Sequence, residues 1–175
     1  MDERELSVVS CEKDLGVWIS ADMKCSKQSM YACNKAMKVL GMIKRTIKFK
    51  DMRVMLSLYK SLVRPHVEYC ISAWKPHYKK DKVLIEKVQR RFTKMINNME
   101  GKTYEERLYC LKLWTLEERR NRQDLIEVFK ICNGLSRLKL NELFTLADNT
   151  RGIRGHSWKL VSFGVHGTAV SIFFK

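Results

Sequence analysis

The chain has 175 residues, 45% of them hydrophobic, and a formal net charge of +15. That much apolar sequence excludes wholesale disorder, and the length fits one domain of ordinary size, or one domain with a frayed end. A charge of this size and sign draws polyanions or anionic surfaces toward the molecule.

Taken in chain order, the first signals are extended. Leu6–Val9 and Leu15–Ile19 read as short β-prone runs separated by Ser10–Asp14, with Gly16 inside the second. Two strands alone are marginally stable in water, which implies a larger sheet upstream. The period turns helical from about Ser26, where Met30, Cys33, Met37, Leu40 and Ile47 recur at three- and four-residue steps or their multiples. A second helix is predicted near Asp51, with Met52, Met55, Leu56, Tyr59 and Val63 as its buried stripe. Pro65 ends or kinks it, or opens the next helix at its first turn. The piece from His66 to Trp74 is apolar and expected to be buried, and Lys75–Lys80 makes a basic turn.

Asp81 is the expected cap of a helix running to about Asn97. Thr103-Tyr104-Glu105-Glu106 and Thr115-Leu116-Glu117-Glu118 both match the capping box, in which Thr and the third-following Glu satisfy free amide donors reciprocally. The second of these helices should stop at Asn133-Gly134, with a short turn near Asn141–Leu146. Beyond Asp148 the pattern dissolves into Gly-rich basic sequence and an apolar tail from Val161 to Phe174. The expected fold is therefore mainly α, a bundle of five to seven helices with a small N-terminal β-hairpin or strand pair.

The polar start, Met1-Asp2-Glu3-Arg4-Glu5, is no signal peptide, and no apolar run approaches the roughly 20 residues that span a bilayer. The six cysteines are scattered, and several fall on apolar faces, so buried free thiols in a reducing compartment are expected. The location read from these features is intracellular, nuclear or cytoplasmic, with no membrane partner.

Catalytic chemistry has little to stand on. The seven aspartates are isolated, whereas two-metal chemistry needs carboxylates close enough to share cations. Glu105-Glu106 and Glu117-Glu118 are explained by capping and helix dipoles. His66 and Cys70 lie one helical turn apart, but a zinc needs four ligands and His77 is the only obvious third. Arg151-Gly152-Ile153-Arg154-Gly155-His156 lacks the lysine spacing of a phosphate loop. No catalytic residue, metal site or cofactor is assigned.

The charge is the positive signal. Residues 35–102 hold 18 Lys/Arg against five Asp/Glu, while residues 1–34 hold four against six. The candidate backbone-binding residues are Lys44, Arg45, Lys48, Lys79, Lys80, Lys87, Arg90, Arg91 and Lys94, which would neutralise phosphates without reading sequence. Trp74 and Tyr78, interleaved with the middle group, are candidates for base stacking, with packing at a helix end as the competing reading.

Several strings then carry a resemblance. They are Lys13-Asp14-Leu15-Gly16-Val17, Leu40-Gly41-Met42-Ile43-Lys44-Arg45, and above all Tyr59-Lys60-Ser61-Leu62-Val63-Arg64-Pro65-His66-Val67-Glu68-Tyr69-Cys70. Leu84-Ile85-Glu86-Lys87-Val88-Gln89-Arg90-Arg91 and Leu116-Glu117-Glu118-Arg119-Arg120 follow in order. Over roughly residues 12–160 the chain resembles the C-terminal part of the reverse transcriptase of non-LTR retrotransposons (LINE elements of the jockey and chicken-repeat type). The resemblance implies the end of a polymerase palm at residues 1–23, a helical thumb-like domain at 24–148, and an irregular tail at 149–175. In that family the catalytic aspartates lie upstream of the matched segment, so no polymerase role passes to any residue here. Met1 stands just before the Leu-Gly-Val strand, so a truncated reading frame or exon-captured remnant is expected. Residues 161–175 fall outside the family pattern, as a frameshift or splice would leave them. The function this implies is a catalytically inactive fragment of an RNA-directed DNA polymerase, not an enzyme on its own, that keeps nonspecific affinity for RNA/DNA duplex. The alternatives are a domesticated helical module for a protein partner, or a translated repeat with no molecular function.

Overall fold

The computed structural model describes residues 8–143 and 145, and it is mainly helical with a two-stranded hairpin at the N-terminus, as the sequence predicts. The described residues divide into two compact units, with the boundary after Arg120.

The first unit opens with β1 (Cys11–Asp14) and β2 (Val17–Ser20), antiparallel, with Asp14 opposite Val17 and Lys13 opposite Trp18. Leu15 and Gly16 form the loop at φ 44° and 88°, and a two-residue turn with both φ positive suits the right-handed twist of a hairpin. This corrects the predicted first strand. A tight turn at Leu15-Gly16 pairs Val17–Ser20 with Cys11–Asp14, within the stretch expected to be a separator, and Val8 and Val9 precede the strand. Tyr69 ties the turn down, its hydroxyl donating to the Leu15 carbonyl at 2.9 Å.

Helix α1 (Ser26–Thr46) buries Ala32, Cys33, Ala36, Leu40 and Ile43, and the expected core residue Met30 is instead exposed. Small residues on that line let a neighbouring helix come close. Asp51 caps α2 (Met52–Leu58), accepting from the Arg53 and Val54 amides. Pro65 then leaves its mark two to six residues upstream. It has no N–H to give, and the helix widens into one π turn, Tyr59–Val63, in which the Arg64 amide reaches back to the Tyr59 carbonyl. The path continues as α3 (Arg64–Glu68), with Pro65 in its first turn. The region after it is not uniformly buried: Tyr69 and Cys70 are exposed, and Cys70 takes a left-handed φ of 48° before a 3₁₀ turn at Ile71–Ala73.

Helix α4 spans Lys79–Thr93. Asp81 lies in its first turn instead of capping it, and is buried with its carboxylate accepting from Ser26 Oγ at 2.7 Å. The packing of α1 and α4 is parallel. Ser26 meets Asp81, Cys33 Sγ approaches the Leu84 carbonyl, Met37 meets Arg91, and Lys50 O accepts from the Asn97 amide. The core between the helices includes Tyr59 stacked on Phe92, ring centroids 4.2 Å apart, with Val63, Val67, Ile85 and Val88 around them.

Both capping boxes form. In α5 (Tyr104–Leu111), the Thr103 amide donates to Glu106 at 2.7 Å and the Glu106 amide to Thr103 Oγ1 at 3.3 Å. At the start of α6 (Leu116–Cys132) the Thr115–Glu118 pair repeats this at 2.9 and 3.1 Å. In the second unit α6 ends as predicted: Gly134 has φ 67°, and the Leu135 amide returns to the Lys130 carbonyl at 2.8 Å. A short α7 (Leu140–Leu143) follows. The expected irregular tail, 149–175, lies outside the described residues. No helix among those described is long and apolar enough to cross a membrane. The thiols are all free, but Cys33 alone is buried, while Cys70 and Cys110 are exposed, against the expectation of buried cysteines.

Candidate nucleic-acid interface

The nine candidate cations are all exposed. Six of them belong to α4 and its C-terminal cap, and their spacing decides where they point. At 3.6 residues per turn, Lys79, Arg90, Lys94, Lys87, Lys80 and Arg91 fall within an arc of about 120°. The buried side chains Asp81, Ile85, Val88 and Phe92 lie on the opposite side of the helix. From Lys79 to Lys94 the face runs about 22 Å along the axis, at 1.5 Å per residue. None of the nine is in an ion pair among the described residues.

Lys44, Arg45 and Lys48 occupy the C-terminal end of α1 and the loop after it. The parallel packing brings that end alongside the C-terminal end of α4, where Arg91 reaches Met37 and the Asn97 amide meets Lys50. The three are thus at the Arg91–Lys94 end of the face, and Lys79 and Lys80 stand at the other end.

On the side toward α5 and α6, the face borders a cleft of about 470 Å³. Here charge is mixed. Lys82 pairs with Glu117 at 2.8 Å, and Glu86 and Glu105 also line the cleft, so this edge offers no clean anion socket. The Arg90 guanidinium lies over the Tyr104 ring, 4.4 Å from its centroid, which holds it in place without neutralising it.

Beneath the cleft runs a buried polar chain that the sequence does not announce. Tyr59 donates to Gln89 Oε1 at 2.7 Å, and Gln89 Nε2 donates to the Trp114 carbonyl at 2.8 Å and the Tyr104 hydroxyl at 3.1 Å. Tyr104 in turn donates to Glu86, which also accepts from the Leu116 amide at 3.0 Å. Burial raises the Glu86 pKa, and the bonds from Tyr104 and Leu116 oppose the rise. This chain locks α4 to the starts of α5 and α6, and so fixes how the basic face is presented.

The two stacking candidates part company. Trp74 is 2% exposed and its indole N–H donates to the Tyr69 carbonyl, so its ring is a packing element with no face for a base. This is a correction: a Trp whose N–H finds a carbonyl beside the core is better buried than stacked on a ligand. Tyr78 is 45% exposed, with Lys80 over its ring at 5.6 Å. Sequence reasoning passed over Phe49, which is 87% exposed between Lys48 and Lys50; an aromatic flanked by lysines was the available signal. No family model, no curated protein and no solved structure matches this chain.

Proposed function

We propose that the chain binds nucleic-acid backbone without sequence preference, and that it is a catalytically inactive, thumb-like piece related to a non-LTR retroelement reverse transcriptase. The observation that carries the binding is the α4 face: six cations within about 120° of arc, none in an ion pair among the described residues. An array of that kind suits phosphates spaced along a strand and has nothing to read base edges with, since lysine and arginine on an open convex helix contact what protrudes first. Its 22 Å length corresponds to about six phosphate steps at roughly 3.4 Å of axial rise per strand. The family assignment rests on the strings quoted from the sequence, above all Tyr59 to Cys70. Its natural ligand in that reading is an RNA/DNA duplex inside the cell.

Fluorescence anisotropy with a labelled RNA/DNA hybrid across a salt series tests the binding. A grip on roughly 6–10 phosphates loses on the order of 10³–10⁵ in affinity between 50 and 200 mM salt. Changing Lys79, Lys80, Arg90 and Arg91 together to Glu should flatten that slope. A folded sample that does not bind at low salt would sink the proposal. A second reading, a module that meets a protein, is favoured by one observation: Phe49, Met52 and Val54 are exposed together at the α1–α2 junction. A discrete complex that survives high salt would support it.

A further inference from the structure

The hairpin and α1 assemble a second cationic cluster, separate from α4. Lys13 and Trp18 are directly opposite across the hairpin, so both project from the same face of the ribbon. Lys27, Tyr31 and Lys35 stand at four-residue steps on α1 and form one stripe. The buried Gln28 side chain holds the two elements together, accepting from the Trp18 amide at 3.0 Å. The result is compact. Trp18 and Tyr31 meet edge to face with centroids 6.2 Å apart, and the Lys27 ammonium sits 4.0 Å from the Trp18 ring centre. Lys13 and Lys35 approach the Tyr31 ring to 4.9 and 4.8 Å, and Lys13 Nζ donates to the Tyr31 hydroxyl at 3.0 Å.

None of the three lysines is in an ion pair among the described residues. Like charges gathered on one phenol repel one another, and a shared anion would relieve them. Their effect on the phenol is direct: hydrogen bonding to Lys13 and Lys35 lowers the Tyr31 pKa to about 8. The hydroxyl accepts from Lys13 and keeps its own proton to donate, while each ammonium has donors left over.

We propose that this cluster is a site for a single phosphate monoester, clamped between the Lys13 and Lys35 ammonium groups with the Tyr31 hydroxyl donating to one of its oxygens. A monoester carries about −1.5 to −2 charges near neutral pH and three acceptor oxygens, which matches two ammoniums and one hydroxyl. Trp18 and Lys27 wall one side. The site does not depend on the α4 reading, because no α4 residue takes part. The phosphate could come from the end of a nucleic-acid strand or from a free phosphate or mononucleotide.

The test is the ionisation of Tyr31 in the full chain, followed by near-ultraviolet absorbance as the difference between wild type and Tyr31→Phe. A bound dianion disfavours the phenolate, so millimolar inorganic phosphate at constant ionic strength should move the midpoint upward by at least about half a unit. The double variant Lys13→Gln, Lys35→Gln should lose that response. A 5′-phosphorylated oligonucleotide producing the shift where its 5′-hydroxyl counterpart does not would assign the ligand to a strand end. A shift with inorganic phosphate and not with either oligonucleotide would assign it to free phosphate. No shift, an equal shift with chloride, or an equal shift with the 5′-hydroxyl oligonucleotide would overturn the site.

Discussion

Leu15 occupies a left-handed conformation, φ 44°, with its side chain 82% exposed. A leucine there bears the steric cost of Cβ against the carbonyl and recovers almost nothing from burial. Leu15→Asn converts the loop to Asn-Gly, the pair best suited to a two-residue hairpin turn. The variant should be more stable by about 0.5–1 kcal/mol in urea denaturation, a fraction of the roughly 1–2 kcal/mol cost of the left-handed region. Gln89 is the opposite case, a residue whose chemistry is fully used. It is 0% exposed, with its amide bonded to Tyr59, Tyr104 and Trp114. Gln89→Leu keeps the volume but strands a buried hydroxyl and a carbonyl. We expect a loss of about 1–3 kcal/mol, the cost of leaving a buried polar group unpaired. A loss under half of that would mean the chain of bonds is not what holds α4 to α5.

Helices differ in how much of them a sequence can show. The two capping boxes were legible because Thr and Glu three residues apart need no tertiary partner to find one another. Lys87, Arg90, Arg91 and Lys94 were legible as one helical group for the same reason, since a helical wheel depends only on spacing, whereas Lys79 and Lys80, expected in a basic turn, lie in the first turn of α4. Asp81 was misplaced because its partner, Ser26, is 55 residues away, and no local pattern marks a carboxylate chosen by a distant hydroxyl. Trp74 and the Lys13–Tyr31–Lys35 cluster have the same origin: what surrounds them is set by packing between elements. The first strand was missed by a shift of register that one turn determines. At this scale α4 yields a contrast. Lys87 projects from the centre of the basic arc, while Lys82 lies outside it and is paired with Glu117. Lys87→Gln should weaken hybrid binding and lower the salt slope by about one, whereas Lys82→Gln should leave both nearly unchanged. Anisotropy on the two single variants decides it, and equal effects would move the interface toward the cleft.

For the whole molecule, acid and base pull stability in opposite senses. The Glu86 pKa is raised, chiefly by burial, so its protonated form favours the folded state. The stability it contributes is fully present below the ordinary glutamate value and is lost as pH rises through the folded pKa. Glu106 in its capping box is lowered by the bonds from Thr103, and its contribution is present above the ordinary value and lost as pH falls through the lowered one. Glu86→Gln isolates the first of these. Its melting temperature relative to wild type should rise between pH 4.5, the ordinary glutamate value, and neutrality. A difference that stays flat across that range would show that Glu86 does not titrate as its burial implies.

The parallel alignment of α1 and α4 also sets a schedule. Their contacts join residues 51 to 55 positions apart, and two parallel helices cannot meet until the return path through α2, the π turn and α3 has been laid down. On a ribosome adding roughly 5–20 residues per second, the Ala32–Ile43 stripe waits several seconds for its cover. During that interval the nascent chain shows an apolar, lysine-studded helix without its cover. The order of synthesis therefore sets how long that stripe stands open to chaperones or to association before α4 emerges.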